Sequence, residues 1–432
     1  MERKIFISFL GITNYTPTNY YYQSLENKID NVRFIQEASV RLFCNDWNEN
    51  DRIIILVTKD SKEKNWFDNV HLGRETKQKI LSEGLNTRLN KLNLKPKHKY
   101  IKILEGNNEE EIWDIFIKIY EEIEQDDKIC FDITHSFRFL PMLNMVLINY
   151  AKFLKNSSVE KITYGNWEGR DKENNNSPIV DITSLSNLQD WTSAANEFIN
   201  NGCSYQLDKI IKEKAKQKTG AEKQNLQKFN KELSKLLLSF STVRGKEIYS
   251  GNIFKNLNNK IDKVIETNTL EPLLPIITKI KNKINNYSTE YNIENGEKAI
   301  EWCVEHKLIQ QAFTLGQEHI ISVLCNNFSL DYTKKENREI VSSTLGIINR
   351  KNDISRNNLS KVIKDNYNLF EDLKENQVFK DLAKNYGELS RFRNSINHAG
   401  MIGNIQADSF ENNFNTFYLK IIDTLRKHKI IS

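Results

Sequence analysis

Lys128 to Pro141 reads KICFDITHSFRFLP, and its change of character half-way along decides the fold of the first part of the chain. Lys128 to Ile133 is a short apolar run suited to a buried strand. Asp132, Thr134, His135, Ser136 and Arg138 then crowd its carboxyl end, where open α/β sheets place their ligands. Thr134 and Ser136 offer hydroxyls, His135 a switchable donor or acceptor, and Arg138 a cation. Met142 to Leu154 follows as a helix whose first free N–H groups suit a phosphate. Read for packing alone, the same residues make a strand-to-helix turn capped by Asp132 or Ser136, with His135 satisfied internally. Local chemistry does not choose between the two readings.

Further strands flank this stretch on both sides. Lys4 to Leu10 (KIFISFL), Arg52 to Thr58 (RIIILVT) and Tyr100 to Leu104 (YIKIL) precede it, and Lys161 to Tyr164 and Ile179 to Ile182 follow, with a polar loop at Arg170 to Ser177. Between strands, Glu109 to Glu124 carries Ile112, Ile115, Ile119 and Ile123 on one helical face. Strands alternating with helices predict a Rossmann-like parallel sheet, an α/β domain over residues 1–190. The loop after the first strand, Gly11 to Tyr22 (GITNYTPTNYYY), contains Gly11, Thr13 and Tyr15. It lacks both Gly-x-Gly-x-x-Gly and Gly-Lys-Ser/Thr, which disfavours a dinucleotide-dependent oxidoreductase.

After about Asp190 strand-like runs vanish and residues 191–432 read as all-helical. Leu226, Phe229, Leu233, Leu236, Leu237 and Phe240 make one amphipathic stripe, and Phe410, Phe414, Phe417, Ile421 and Leu425 another. Lys298 to Cys325 reads as one long core helix in which Glu318 and His319 are structural. Pro272 and Pro275 break a helix near its start. Leu382, Tyr386, Leu389, Phe392 and Ile396 mark a helix ending in Arg393-Asn394-Ser395-Ile396-Asn397-His398, with Gly400 as its stop. At about 100° per residue Arg393 and His398 lie roughly 140° apart around that helix. They cannot share one face, so something beyond an isolated straight helix must bring them onto one substrate.

Composition narrows the function class. With 432 residues the chain suits two to three domains of about 150 each. The 62 basic and 57 acidic residues leave +5, which allows a local basic groove but not a histone-like bulk charge. Cys44, Cys130, Cys203, Cys303 and Cys325 are scattered without a Cys-x-x-Cys pair, as expected of reduced thiols rather than a zinc site or disulfide frame. No apolar run nears the length of a membrane span, and Met1-Glu2-Arg3-Lys4 leads straight into a strand-like segment instead of a signal peptide. The expectation is a cytoplasmic protein that does not engage membrane.

Phe9-Leu10-Gly11 with Tyr15, Asp132-Ile133-Thr134-His135, and Arg393 with His398, in that order and in domains of those classes, resemble the CARF–HEPN ribonucleases of type III CRISPR systems. The resemblance spans essentially the whole chain. Ser136 departs from the glycine that usually closes the family's Asp-x-Thr-His-Gly motif. The resemblance implies a CARF domain whose dimer forms a pocket for cyclic oligoadenylate, an allosteric activator and not a cofactor. Gly11, Thr13, Tyr15, Asp132, Thr134, His135, Ser136 and Arg138 would line that pocket. It further implies a HEPN domain that cuts single-stranded RNA without metal, by attack of the ribose 2′-hydroxyl, with Arg393, His398 and Asn394 as its catalytic residues. A homodimer or a higher assembly of dimers is expected. A sensor with an inactive helical domain and a constitutive toxin-like ribonuclease are the alternatives.

Overall fold

Ile5, Ile7 and Phe9 enter one hydrophobic cluster while Phe6 and Leu10 enter another, so the first strand is apolar on both faces because both faces are covered. This is the pattern of a strand in the middle of a helix-flanked sheet. The computed structural model describes residues 2–72, 79–135, 139–267, 274–350, 358–401 and 404–431. They fall into two units, Met1–Gln189 and Asp190–Ser432.

The strands of the first unit are β1 (Lys4–Leu10), β2 (Thr18–Tyr22), β3 (Ser24–Val32), β4 (Arg52–Val57), β5 (Asn69–Leu72), β6 (Lys79–Ser82), β7 (Lys97–Lys102), β8 (Lys128–Asp132), β9 (Ser158–Gly165) and β10 (Asn176–Asp181). Eight of them form one sheet in the order β3-β2-β10-β9-β8-β1-β4-β7, and β5 and β6 make a separate antiparallel pair. The run from β9 to β7 is parallel, as the strand–helix alternation predicts. Beyond β9 the sheet is mixed, because β10 runs antiparallel to β9 and β3 antiparallel to β2. Thr18–Tyr22, read from sequence as loop, is therefore strand. It is only five residues long and half-polar, yet Thr18 and Tyr20 are buried on one side in strict alternation.

After forming β2 and β3 at one edge of the sheet, the chain returns beside β1 as β4, moves outward to β7, and then crosses to the other side of β1 as β8. The carboxyl ends of β1 and β8 therefore flank the point where strand order reverses, the crevice in which open α/β sheets bind ligands. The loop after Leu10 and the turn after Asp132 both start there.

The second unit is helical throughout its described residues. Lys298 to Cys325 is not one helix but two, Asn295–Glu305 and Ile309–Asn327. The break has no Gly or Pro to announce it. Lys307 takes a left-handed φ of 58°, and the Leu308 N–H bonds the Cys303 carbonyl at 2.7 Å. His306 holds the corner, its ring nitrogens against the carbonyls of Trp302 (2.7 Å) and Ile199 (2.9 Å). Of the two prolines expected near a helix start, Pro275 sits in the first turn of Leu274–Ile284, and Pro272 lies outside the described residues. Glu318 pairs with Arg338 at 2.6 Å, and buried His319 bonds the Tyr249 hydroxyl at 3.0 Å.

The helix Gln377–Asn397 carries the Arg393 motif. Its rotation is fixed by Phe392, which stacks on Phe313 at 5.8 Å and meets Phe410 edge-on at 5.3 Å. The helix stops one residue before the position expected from Gly400. His398 is the cap, and Ala399 takes the left-handed φ of 54° that usually calls for glycine. Gly400 N–H reaches the Ser395 carbonyl (2.8 Å) and Ala399 N–H that of Ile396 (2.9 Å), the paired bonds of a Schellman end. An alanine in that conformation is strained, so Ala399→Gly should stabilise the helical unit by about 1 kcal/mol. Urea unfolding checks this, and a lowered midpoint would contradict the cap assignment.

Candidate functional site

Asp132 sits opposite Ser8 in the β1–β8 register. Ser8 is the one polar residue after Lys4 in KIFISFL, and its Oγ donates to Asp132 Oδ2 at 2.7 Å with both groups buried. The other carboxyl oxygen accepts from the Thr134 N–H at 3.1 Å and from the Thr134 hydroxyl. Thr134 Oγ1 in turn accepts the Gly165 N–H at 2.7 Å, tying the turn to the end of β9. Burial pushes the Asp132 carboxyl up, and the bonds from Thr134 and Ser8 hold it back. Asp132 is wholly inaccessible. It shapes the turn instead of facing solvent, but it is not the helix cap that the packing reading offered, since the following helix Leu140–Lys155 has Phe139 as its N-cap.

The first loop closes on this turn. A Cβ on Gly11 would lie 2.5 Å from the Tyr15 hydroxyl and 3.4 Å from His135 Cβ, so only glycine lets loop and turn approach this closely. Tyr15 meets the His135 ring edge-on at 4.7 Å, and its hydroxyl has no hydrogen-bond partner among the described residues. Burial pushes that phenol up. Thr13 is exposed at the loop tip. Burial also lowers the His135 imidazole from 6.5 to about 4, so at neutral pH it is a hydrogen-bonding group and not a cation. The structure thus brings Gly11, Tyr15, Thr134 and His135 together, with Thr13 on the rim and Asp132 beneath. Ser136 and Arg138 lie outside the described residues.

Sequence reasoning missed the groups that hold the loop. Buried Asn65, on the helical turn Lys62–Trp66 after β4, donates to the carbonyls of Gly11 (2.9 Å) and Thr13 (3.0 Å). Arg33, just past β3, approaches Asn65 Oδ1 at 3.4 Å and donates to the Glu83 carbonyl at 2.9 Å. It has no carboxylate partner among the described residues, and burial lowers its guanidinium. Tyr20, from β2, is buried, and burial and then the Asp132 charge push its phenol up to about 12. Only Ser8 left a mark in the sequence, as a polar break in an apolar strand. Asn65 and Arg33 arrive through the topology. At the crevice where strand order reverses, these groups gather hydroxyls, backbone and, among the described residues, the Arg33 cation, chemistry that suits a polar, anionic, base-bearing ligand.

In the helical unit Asn394 and His398 are exposed, and Arg393 is half-buried. Arg393 Nη1 reaches Asn394 Oδ1 at 3.4 Å, and Nε is buried with no partner. No hydrogen bond joins Arg393 to His398, and no carboxylate pairs with Arg393 among the described residues. The chain by itself therefore does not unite the two. Among the described residues no three His, Cys, Asp or Glu side chains gather to hold a metal ion, the five cysteines are unpaired, and no helix is long and apolar enough to cross a membrane.

Residues 5–168, which contain the whole crevice, match the family model described as CRISPR system endoribonuclease Csx1, CARF domain. Over those residues the first unit is similar to the CARF domains of CRISPR-associated endoribonucleases. It is 25% identical over 348 residues to a CRISPR-associated protein of Methanocaldococcus jannaschii, a match covering 77% of this chain and 47% of the relative. The chain thus spans about half the length of that relative. Among solved structures, Enterococcus italicus Csm6 bound to cyclic hexa-2′-fluoro-hexa-dAMP aligns over 100% of this chain and 95% of its own at 12% identity, with a TM-score of 0.44, a likeness too distant to carry an argument. The CARF crevice is built from the loop after β1 and the turn after β8.

The lowered imidazole gives a direct check on the CARF crevice. Because the folded state holds His135 neutral, the unfolded chain takes up its proton first as pH falls. The stability this group supplies at pH 7 should fade between about 6.5 and about 4. An NMR titration should place the His135 midpoint near 4, and a midpoint near 6.5 would show the ring to be solvated.

Proposed function

We propose that this chain is an endoribonuclease of type III CRISPR defence, switched on by cyclic oligoadenylate in its CARF crevice and cutting single-stranded RNA at a HEPN site in its helical unit. The observation that carries the reading is Arg393. It is a half-buried guanidinium with an orphaned Nε and no carboxylate among the described residues, five positions from an exposed histidine at a helix end. A buried donor left unpaired is costly. A phosphate placed there would satisfy it with the strong, charge-assisted geometry that guanidinium favours.

The chemistry these residues suit needs neither metal nor external nucleophile. The ribose 2′-oxygen attacks the adjacent phosphorus and loses its proton. The bond from phosphorus to the 5′-oxygen breaks, and that oxygen gains a proton, leaving a 2′,3′-cyclic phosphate and a 5′-hydroxyl. Arg393 stays charged throughout and neutralises the equatorial oxygens as negative charge gathers. His398 can take and give protons, and Asn394 positions the guanidinium it touches. Since Arg393 and His398 do not meet along one helix, a homodimer would supply the missing half by facing identical helix ends across a twofold axis. The CARF crevice supports the sensing half: its hydroxyls, amides and Arg33 suit a nucleotide ring better than a dinucleotide cofactor, whose glycine fingerprint is missing.

Arg393→Ala and His398→Ala should each lower RNA cleavage by about 10²-fold or more while the melting temperature and activator binding stay near those of the parent. Cleavage should persist in excess EDTA. Either variant cutting RNA at the parental rate, with contaminating nuclease excluded, would remove the HEPN assignment.

A further inference from the structure

The helices Tyr205–Lys216 and Gly220–Ser241 form a hairpin in which residues 205–241 carry nine lysines, no arginine and four carboxylates. That excess of five equals the formal excess of the whole chain. All the net positive charge therefore sits on one hairpin, and the rest of the molecule is balanced.

The lysines are ordered by helical spacing. Lys209, Lys212 and Lys216 follow one another at three and four residues on the first helix, and Lys228, Lys231 and Lys235 do so on the second, so each trio makes one stripe. All six are exposed. Between the helices runs an open groove of about 610 Å³, with Lys212, Lys231 and Lys235 on its banks and Ile211, Ala215 and Leu238 among its apolar lining. Lys212 pairs with Asp208 at 2.7 Å and Lys218 with Glu222 at 3.0 Å. The other seven lysines have no carboxylate partner among the described residues. Burial, and then the ammonium of Lys218, hold the Lys214 amine below its ordinary range, a local sign of positive charge that the fold does not neutralise.

A second, non-ionic feature lies in the same groove. Asn230 is 6% exposed and lines it. Its Nδ2 donates to Asp208 Oδ1 at 2.7 Å, and because a carboxylate can only accept, this fixes which way the amide is turned. Asn230 Oδ1 is left buried with no partner among the described residues. It is an acceptor awaiting a donor.

We propose that this hairpin is a docking track for single-stranded RNA, phosphates on the two lysine stripes, base and ribose faces on the apolar lining, and a base N–H or ribose hydroxyl on Asn230 Oδ1. Regularly spaced negative charge alternating with flat apolar surface and hydrogen-bond donors is what such a strand presents. An anionic membrane would meet the lysine crests and leave the lining and Asn230 unused. The choice of RNA over other polyanions rests on the ribonuclease reading; the charge and the groove do not.

The test uses the full chain carrying Arg393→Ala and His398→Ala, so that bound RNA is not cut, and a labelled mixed-sequence single-stranded RNA followed by anisotropy over a salt series. Each lysine–phosphate contact contributes about 0.7 to the log–log salt slope. Lys212→Gln, Lys231→Gln and Lys235→Gln together should therefore flatten the slope by about 2 and weaken binding by about tenfold or more at moderate salt. The same three positions changed to arginine should keep both, which excludes a folding defect. Asn230→Ala should weaken binding with the slope unchanged. Parental slope and affinity in the glutamine triple variant would overturn the proposal. So would loss of binding to phosphatidylserine vesicles or polyglutamate while RNA binding is retained. Cleavage by the unmutated chain is read separately. A chain that binds RNA through these lysines yet never cuts it keeps the track and loses the ribonuclease, whereas cutting with an unchanged slope does the reverse.

Discussion

A carboxyl taken wholly out of water at the end of a central strand must be matched atom for atom, since burying an unpaired carboxylate costs several kcal/mol. Asp132 meets that demand with Ser8 from β1 on one oxygen and Thr134 from its own turn on the other. Thr134 passes the connection to Gly165 at the end of β9. Three neighbouring parallel strands are thereby locked in register at the place where strand order reverses. Gly11, Tyr15 and His135 take their places from that lock, because the close approach of the first loop to His135 works only if the turn does not move. Removing either partner hydroxyl would leave part of a buried carboxyl unmatched, so the crevice and the stability of the sheet centre are one property.

The location of this crevice was legible in the sequence, because an apolar run that turns polar at its carboxyl end has one common home in an α/β sheet. The division of labour was not. Asp132, Thr134 and His135 look alike as polar residues in a row, yet burial makes the first a scaffold and leaves the other two beside the crevice. Ser8 could have been found as the lone hydroxyl in an apolar strand. Asn65 and Arg33 could not, since they reach the loop only through the fold. In the helical unit the amphipathic stripes were plain, but helix ends held by Ala399 and Lys307 in left-handed conformations carry no glycine where one would be sought. The break after Glu305 and the stop at His398 followed from tertiary packing that overrode local preference.

The two units pose complementary electrostatic problems. The CARF crevice keeps its histidine neutral, and among the described residues its cation is Arg33. The helical unit does the reverse, leaving a guanidinium half-buried without a carboxylate among the described residues at the end of a helix. Such a group is hard to justify as packing, because unpaired buried donors are among the costlier features a fold can retain. The proposed phosphate site would account for it. Control of that site by the crevice requires that the activator bind more tightly to the state in which Arg393 and His398 converge, since a ligand with no such preference shifts nothing.

The most direct measurement is the initial rate at which the full chain cuts a labelled single-stranded RNA, alone and with each of a panel of linear and cyclic oligoadenylates. A sensor coupled to a nuclease predicts slow cutting by the chain alone and acceleration of about tenfold or more by a cyclic oligoadenylate of one ring size, with linear forms weaker. Equal rates with and without every ring, from a protein shown to bind one of them, would contradict the coupling on which the proposed function stands.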